Sequence, residues 1–552
     1  LAEASDLPRF VEPAGGLATS ETSTEDGYAG ARVEDNRDPL ALFTHDQQVK
    51  ANTIEAEPSG PVILPAPTPG IVISVAIAEG DEVAIGHPVA TIESLELHHV
   101  ITAECSGVVD VVSVVPGAAI REGDRICQIT MSDIPRMAEQ EKEVINPDYI
   151  RDDLAQVHER RAYTDDAFRA EKIAKRHARH QRSPQENIDH LFDNTFREYG
   201  PLVTAGSWQK QQWLRETTQA DGLVMGIGHV NGDLFEPEHS RAAVVHYDYM
   251  VVAGTQGGRG HYKQDRIYEL AERFRLPLIL FAEGGGGRPG ISGGEPEIPS
   301  STEIATSQSS KASAVDIAGQ GGGGVPIDSY TFTALSKLSG LVPLVGINSG
   351  RCFAGNTVML ASCDVIIAAE NSTIGLGGPA MIEGGGLGIY TPEEVGPMSF
   401  QVPNGVVDIL VKDDEAVVDT ARKYLSYFQG SIKQWEAPDQ RGLRHIIPED
   451  RSQMYDVRAV IETIADEDSI LEIRAAFGTG IITDFIRIEG RPMGLIANNP
   501  QHFSGAIDTD ASDKAARFLQ LCDTFDLPVL SLMDCPGIMV GAEYEQTGLL
   551  RH

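Results

Sequence analysis

Two glycine-bearing turns are the parts of this sequence whose residue types and spacing best fit chemistry. The first, FAEGGGGRPG, places Gly284 to Gly287 directly after an apolar stretch. Successive backbone N–H groups in such a turn can point at one oxygen and stabilise an oxyanion without any side chain. The second, GRCFAGN, opens a helix near Ala354 and Gly355, where the helix dipole favours negative charge. Glycines also simply permit tight turns, but two such turns in one fold favour an oxyanion site.

A long internal repeat predicts the elements that carry these turns. GTQGGRGHYKQDRIYELAERFRLPLILFAEGGGG starts at Gly254, and GAIDTDASDKAARFLQLCDTFDLPVLSLMDCPG starts at Gly505, a constant offset of 251 residues. Each copy has a glycine turn, an amphipathic helix and a buried strand that ends in another glycine turn. Alternation of strands and helices predicts an α/β fold.

A shorter repeat occupies residues 58–131. GIVISVAIAEGDEVAIGHPVATI starts at Gly70 and GVVDVVSVVPGAAIREGDRICQI starts at Gly107, an offset of 37 residues. β-branched alternation between glycine turns predicts short strands, and two such halves predict a flattened all-β barrel with pseudo-twofold symmetry. The link between the halves, residues 93–98, is predicted to be an exposed hairpin. A plain β-module without chemistry would show a similar glycine pattern.

Composition excludes several classes of function. The 552 residues carry a formal net charge of −37, which argues against binding to nucleic acid or to an anionic membrane. There is no apolar run long enough to span a bilayer and no signal-peptide pattern at the start. The six cysteines form no C-x-x-C pair, so neither a metal site nor a disulfide framework is predicted. We therefore expect a cytoplasmic protein.

Two segments differ from their surroundings. Residues 132–194 are highly charged with sparse apolar positions, which predicts a linker of exposed helices. Residues 291–325 are rich in glycine and serine and are predicted to be a flexible insertion.

The segment 58–131 resembles the biotinyl/lipoyl carrier domains. IES···HHVITA·CSGVV is similar to the biotin-domain pattern IEAMKMEHVITAPxxG. The resemblance places Glu96 at the position of the biotin-bearing lysine, and no lysine occurs between Lys50 and Lys142. A carboxylate cannot form the amide that a lysine amine forms with biotin or lipoate. We therefore expect a carrier-like domain without a covalent cofactor.

Residues 195–552 resemble the carboxyltransferase part of biotin-dependent acyl-CoA carboxylases, above all the long single-chain acyl-CoA carboxylases. The resemblance rests on YDYMVVAGTQGGRGHYKQDRIYELAERFRLPLILFAEGGGGRPG, GLVPLVGINSGRCFAGN, GGPAMIEGGGLG, VPNGVVD and DCPGIMVG. It implies two crotonase-type (ββα superhelix) copies, at 195–465 and 466–552, with the second copy truncated before its own oxyanion turn. Residues 1–57 resemble the connector that follows the family's ATP-using biotin carboxylase domain.

The resemblance also implies catalytic roles for the glycine turns. Gly285 and Gly286 match the paired glycines of one family turn, and Ala354 and Gly355 match the other. In the family, carboxybiotin releases CO2, the biotin anion removes the α-proton of an acyl thioester, and the enolate attacks CO2. Both intermediates are oxyanions, so two oxyanion holes serve without a side-chain base.

Three further residues are candidates for binding the coenzyme A ester. Arg259 and Lys263 are candidates for the phosphates, although exposed helix charges are an equal explanation. Gly378 lies in the shared stretch GGPAMIEGGGLG.

We thus expect a carboxyltransferase component of an acyl-CoA carboxylase that uses biotin supplied in trans. Its partners would be acyl-CoA, a second copy in a homodimer or higher oligomer, and separate biotin carboxylase and biotin-carrying chains. The alternatives are a biotin-independent acyl-CoA decarboxylase or carboxyl transfer enzyme, and a non-catalytic structural subunit. By itself the chain is expected to bind an acyl-CoA without carboxylating it.

Overall fold

The computed structural model describes residues 61–132, 146–205, 216–288 and 330–552. The protein divides into two compact units, with the boundary between Tyr149 and Ile150, and each unit is described by itself. The predicted connector at residues 1–57 and the predicted insertion at residues 291–325 lie outside the described residues.

In the first unit, the described residues 61–132 are all-β, as the alternating sequence predicts. Its strands are β1 (Val62–Pro65), β2 (Gly70–Val75), β3 (Glu82–Val83), β4 (Pro88–Ser94), β5 (Leu97–Thr102), β6 (Gly107–Val112), β7 (Ala119–Ile120) and β8 (Arg125–Met131). They form two four-stranded sheets, ordered β1-β8-β6-β3 and β5-β4-β2-β7. The core of this unit includes Val72, Ile92 and Ile129, each at most 1% exposed.

The short repeat appears as a structural repeat. Gly70 begins β2 and Gly107 begins β6, which lie in different sheets. A Cβ added at Gly70 would lie 2.3 Å from the carbonyl oxygen of Glu93, and one at Gly107 would lie 2.1 Å from that of Thr130. Both glycines therefore permit the same close backbone crossing, which accounts for their equivalent positions in the two halves.

The second unit is α/β, and its larger sheet has seven strands. The strands of this part are β9 (Arg197–Glu198), β10 (Leu223–His229), β11 (Arg241–Tyr247), β12 (Leu278–Phe281), β13 (Leu344–Asn348), β14 (Arg351–Phe353), β15 (Val365–Ala369), β16 (Thr373–Gly375) and β17 (Ile409–Val411). The seven-stranded sheet has the order β17-β15-β13-β12-β11-β10-β9, and its pairs from β11 to β17 are parallel. The short strands β14 and β16 pair with each other in a sheet of their own.

A four-stranded sheet follows in the chain. Its strands are β18 (Leu471–Glu472), β19 (Ile481–Ile488), β20 (Arg491–Asn498) and β21 (Val529–Leu532), in that order. Strands β20 and β21 are parallel, as are β11 and β12. The long repeat therefore corresponds to two copies of one antiparallel pair, helix and parallel strand. The predicted order of an all-β part followed by an α/β part is confirmed, whereas the predicted boundary at 465/466 and the truncation of the second copy stay predictions.

The helices described in the second unit are α1 (Asp152–Ala162), α2 (Ala170–His177), α3 (Pro184–Phe192), α4 (Pro237–Ser240), α5 (Gly258–Phe274), α6 (Tyr330–Leu338), α7 (Gly355–Ala361), α8 (Pro379–Gly384), α9 (Pro392–Val395), α10 (Met398–Gln401), α11 (Asp414–Ser426), α12 (Leu443–Ile446), α13 (Arg458–Ile464), α14 (Thr509–Thr524) and α15 (Ala542–Gln546). Two cores share the larger sheet: α5, α6, α7 and α10 supply side chains to one, and α3, α11 and α14 supply side chains to the other. Within the described ranges, no helix combines the length and apolarity that crossing a bilayer requires.

The charged segment before the large sheet contributes to the core. Helix α1 has no buried residue, as expected of a solvated helix. Helix α3 begins with a capping box between Ser183 and Glu186, which pairs two backbone N–H groups that a helix start otherwise leaves open. It then buries Leu191 and Phe192 in a core that includes residues of β11 and α11. The end of the predicted linker is therefore part of the α/β unit.

Candidate active site

The first glycine turn follows β12 and is joined to two other segments by backbone hydrogen bonds. The N–H of Gly284 donates to the carbonyl of Arg351 (2.8 Å), and the N–H of Gly285 donates to that of Ala253 (3.2 Å). Further along, the N–H of Gln256 donates to the carbonyl of Gly286 (2.7 Å). The turn is held between residues 253–256 on one side and β14 on the other.

The second glycine turn joins β14 to α7. Ala354 has φ 52° and ψ −125°, a backbone conformation that residues with a Cβ rarely adopt. This conformation lets the chain reverse from the strand directly into the helix that begins at Gly355. The first N–H groups of an α-helix have no acceptor within that helix. The local chain therefore presents donors at a strained helix start, an arrangement that suits an anionic oxygen.

The two turns contact each other. A Cβ added at Gly286 would lie 2.6 Å from Cβ of Ala354 and 3.3 Å from the backbone nitrogen of Gly355. Gly286 has φ +85°, so both its conformation and its neighbours exclude a side chain. Asn356 links the same segments, because its Oδ1 accepts from the N–H of Gly286 (3.0 Å) and its Nδ2 donates to the carbonyl of Ala282 (3.2 Å).

The hydrogen bonds correct which groups of the turns can act as donors. The N–H groups predicted as oxyanion donors at Gly285 and Gly286 already donate to Ala253 and Asn356. The N–H of Gly287 has no acceptor among the described residues, and the N–H of Gly355 belongs to the open first turn of α7. The structure thus brings the two predicted turns together. In the first turn, the N–H group without an acceptor among the described residues is that of Gly287, and the missing side chain of Gly286 leaves room beside Ala354 and Gly355.

A buried ion pair holds the strand end that leads into the first turn. Arg176, on α2, donates to Glu283 (2.9 Å), and both side chains are 8% exposed. Burial raises the pKa of the Glu283 carboxyl, and the neighbouring Arg176 guanidinium opposes that rise. Gln181 donates to the carbonyl of Ser349 (2.8 Å) and lies 3.4 Å from Glu283 Oε1. The segment around α2 therefore contacts the approaches to both glycine turns.

A second ion pair lies on the other side of the first turn. Arg288 pairs with Asp221, and their side chains are 7% and 0% exposed. The guanidinium also donates to the carbonyls of Asp221 and Thr255, both at 3.1 Å. The first turn is thus flanked by a paired cation at each end, which leaves its centre without an unpaired charge among the described residues.

Lys263 does not have the predicted role. Its side chain is buried, and its Nζ donates to the carbonyls of Ala220 (2.9 Å) and Leu223 (2.5 Å). Burial lowers the pKa of the Lys263 ammonium to about 8, against the nearby carboxylates of Glu198 and Asp221. An ammonium enclosed by backbone carbonyls is not available to a phosphate, so Lys263 is a structural residue.

The other two predicted substrate-binding residues, Arg259 and Gly378, are not held by backbone carbonyls as Lys263 is. Arg259 is exposed on the first turn of α5. Gly378 precedes Pro379 at the start of α8, and a Cβ there would lie 3.7 Å from the ring of Phe353, next to the second turn. Their roles stay predictions.

The predicted carrier hairpin is present in the first unit. Strands β4 and β5 pair up to Ser94 opposite Leu97, and the two loop residues Leu95 and Glu96 have φ values of 50° and 66°. Positive φ at both positions is typical of a type I′ turn, which matches the twist of the flanking strands. Leu95 is 94% exposed. The tip therefore presents a carboxylate at an exposed turn, and a carboxylate does not fit an amide-linked cofactor.

Several residues of the site escape sequence reasoning. Asn356 directly follows the predicted AG turn, so its position offered a signal, but its link to Gly286 depends on the fold. Arg176 had no signal, because charge in a polar segment usually indicates solvent exposure. No group of three metal-ligating side chains occurs within the ranges that the structure covers.

Comparisons with known proteins agree with this architecture. The profile of the carboxyl transferase domain family matches residues 315–552, and that of the biotin-requiring enzymes matches residues 62–129. The Bacillus subtilis (strain 168) protein described as uncharacterized carboxylase YngE is 32% identical over 344 residues, which cover 60% of this chain and 61% of the relative.

Two solved structures are also similar. A single-chain, multi-domain long-chain acyl-CoA carboxylase shares 41% identity at a TM-score of 0.66, covering 94% of this chain and 48% of that one. The transcarboxylase 12S hexamer, with hydrolysed methylmalonyl-coenzyme A bound, shares 28% identity at a TM-score of 0.57, covering 72% of each chain. This chain thus spans 61% of the curated relative and about half of the long-chain carboxylase.

Proposed function

We propose that this chain transfers a carboxyl group to the α-carbon of an acyl-CoA, because residues 315–552 match the carboxyl transferase domain family and residues 62–129 match the biotin-requiring enzymes. The observation that supports this most directly is the contact between the two glycine turns. A Cβ added at Gly286 would lie only 3.3 Å from the backbone nitrogen of Gly355, so the glycine keeps open a space beside that N–H group. An enolate intermediate requires a hydrogen-bond donor and free space of this kind for its thioester oxygen.

The residues of this chain would act on the thioester oxygen. Removal of the α-proton moves negative charge onto that oxygen, and the N–H groups of Gly287 and Gly355 would donate to it. Donors that the fold already holds in place stabilise such charge without reorganising, and the loss of one typically slows turnover by about 100- to 1000-fold. The pair Arg176–Glu283 would keep the turn in place rather than contact the substrate.

Biotin would serve as the carrier of the carboxyl group, supplied by another chain. The exposed turn of the first unit offers Glu96, whose carboxylate cannot accept biotin as an amide. The described span 61–132 contains no lysine. The carrier-like unit would therefore keep its shape without its cofactor.

The partners follow from the same reasoning. Exposed apolar side chains occur close to Gly378 in the chain, among them Leu376 (74%), Leu387 (74%) and Ile389 (83%). An apolar surface beside a site fits a second protein chain, and we propose a homodimer or higher oligomer together with separate biotin carboxylase and biotin-carrying chains. The exposed Arg259 would contact coenzyme A phosphate.

A reducing compartment fits the cysteines. All six are free thiols, and five are buried. Burial raises the pKa of Cys352 to about 12, which keeps that thiol protonated and unreactive. We propose a cytoplasmic location.

The test is turnover of the assembly isolated with its partner chains, measured with radiolabelled bicarbonate, ATP and propionyl-CoA. Carboxylation that requires a biotinylated partner supports the proposal. Decarboxylation of methylmalonyl-CoA without biotin would instead support the biotin-independent alternative. A chain that binds neither propionyl-CoA nor coenzyme A in calorimetry would be a non-catalytic subunit, and the proposal would be wrong.

A further inference from the structure

A buried side-chain donor beside the two glycine turns has no hydrogen-bond acceptor in the part of the chain that the structure describes. Gln256 is 6% exposed, and its Nε2 makes no hydrogen bond among the described residues. The large majority of buried side-chain polar atoms are paired in folded proteins. An unpaired amide carries a desolvation penalty that an apolar side chain of the same length would avoid, so an amide in this position, beside both turns, fits a ligand that accepts from it.

The position of this amide is defined by the turns themselves. A Cβ added at Gly355 would lie 2.7 Å from Oε1 and 3.3 Å from Nε2 of Gln256. The backbone of Gln256 is fixed to the first turn, because its N–H donates to Gly286 (2.7 Å) and its carbonyl accepts from Arg288 (2.9 Å). The amide therefore lies against the start of α7 while its own backbone belongs to the edge of the first turn.

The hydroxyl of Tyr247 is the protein group that competes for this amide. Burial raises the pKa of Tyr247, and the amides of Gln264 and Gln256 both oppose that rise, so both lie close to the hydroxyl. Gln264 donates to it at 2.7 Å, whereas Nε2 of Gln256 makes no hydrogen bond to it. Gln264 thus serves the tyrosine, and Gln256 keeps its donor for another acceptor.

Gln429 shows the usual state of a buried glutamine in this fold. Its Oε1 accepts from Asn231 (2.8 Å), and its Nε2 donates to the carbonyl of Val230 (2.9 Å). Replacing Gln429 would break these bonds, whereas replacing Gln256 breaks none at Nε2.

The surroundings indicate which group the amide would take. The two guanidinium groups that flank the first turn are already paired, Arg288 with Asp221 and Arg176 with Glu283. A phosphate would meet no unpaired cation among the described residues at the centre of this site. A neutral amide donor beside backbone N–H groups fits an uncharged carbonyl oxygen that acquires partial negative charge.

We propose that the Nε2 of Gln256 donates to the carbonyl oxygen of the acyl thioester, together with the N–H groups of Gly287 and Gly355. The inference rests on the proposed function and adds a side chain to a site that otherwise consists of backbone donors. It also makes Gln256 a residue that distinguishes acyl-CoA from free coenzyme A, since only the ester has the carbonyl.

The experiment compares the full chain with Gln256→Met, which keeps the length of the side chain and removes the donor. Calorimetry with propionyl-CoA should show an affinity about tenfold weaker, the usual scale of one hydrogen bond, while the affinity for free coenzyme A stays within about twofold. The melting temperature should stay the same or rise, because no protein bond of the donor is lost. Gln429→Met is the matched control: it should lower the melting temperature and leave the ratio of the two affinities unchanged.

Infrared spectra of bound propionyl-CoA supply a second readout. Hydrogen bonding lowers the stretching frequency of the thioester carbonyl, so Gln256→Met should shift the band upward. If Gln256→Met does not fold, Gln256→Asn, which withdraws the amide by one methylene, takes its place with the same expectations. Equal weakening of both ligands, an unmoved carbonyl band, or unfolding of both variants overturns the inference while leaving the proposed function intact. Wild-type chain that binds neither ligand overturns both.

Discussion

Replacing Arg176 with methionine removes the cation that holds the strand end before the first glycine turn. Arg176 donates to Glu283 at 2.9 Å, and each side chain is only 8% exposed. Solvent therefore screens this pair little. Removing one partner of such a pair typically costs about 3–5 kcal/mol, because the other charge stays buried without compensation. What remains near the Glu283 carboxylate is the amide of Gln181, 3.4 Å away.

The stability lost in Arg176→Met should depend on pH, and the direction of that dependence tests whether the buried charge of Glu283 is the cause. Burial raises the folded-state pKa of Glu283, and Arg176 opposes that rise, so the variant should have a still higher pKa. A carboxyl whose folded pKa exceeds its unfolded pKa destabilises the fold progressively as pH rises between those two values. The destabilisation by Arg176→Met should therefore be smaller at pH 5 than at pH 8, where the carboxylate is charged.

Urea denaturation followed by circular dichroism at both pH values measures this, with hydrogen exchange of residues 281–288 as the local readout. The double variant Arg176→Met/Glu283→Gln should recover much of the loss, since it buries no charge. Lys175→Met is the control on the same helix: its partner Glu171 is 85% exposed, so little change is expected. Equal losses at the two pH values, or strictly additive effects in the double variant, would refute the reasoning.

Three further predictions address other parts of the chain. After coexpression with biotin ligase, intact-mass analysis should show no biotin on the natural chain. Glu96→Lys should become biotinylated, because the exposed turn is kept. A biotinylated natural chain would contradict the inference that Glu96 replaces the carrier lysine. Gly286→Ala should lower the melting temperature and weaken propionyl-CoA binding, because the new Cβ would lie 2.6 Å from that of Ala354 and the residue has φ +85°. The control Gly287→Ala should leave the melting temperature unchanged, because a Cβ there meets nothing within 4 Å. Equal melting temperatures for the two variants would contradict the expected clash at Gly286. Burial lowers the pKa of His246 to about 4. The free energy of unfolding should therefore fall by about 3 kcal/mol as the pH drops from 6.5 to 4, because the imidazole must be protonated. His246→Phe should reduce this fall, and an unchanged pH dependence in the variant would exclude His246 as its source.

Local sequence pattern by itself determined the elements and the chemistry of the backbone. Alternating β-branched residues and glycine turns sufficed to predict the strands of residues 61–132, because strand alternation and turn chemistry act over a few residues. The two glycine turns were predicted from the same short-range signals. The sequence alone also shows that Glu96 stands where the carrier lysine is expected, because the residue type decides whether an amine is present.

Only the tertiary structure decided which donors are free and which charges are buried. The sequence offers Lys263 as a helix cation for a phosphate, yet the fold encloses its ammonium in the carbonyls of Ala220 and Leu223. It predicts an oxyanion donor at Gly286, yet that N–H is taken by Asn356, which is 70 residues away in the chain. Arg176 and Glu283 are 107 residues apart. Such partners are chosen by how sheets and helices pack, and a sequence pattern records the residue but not the group that packing sets against it.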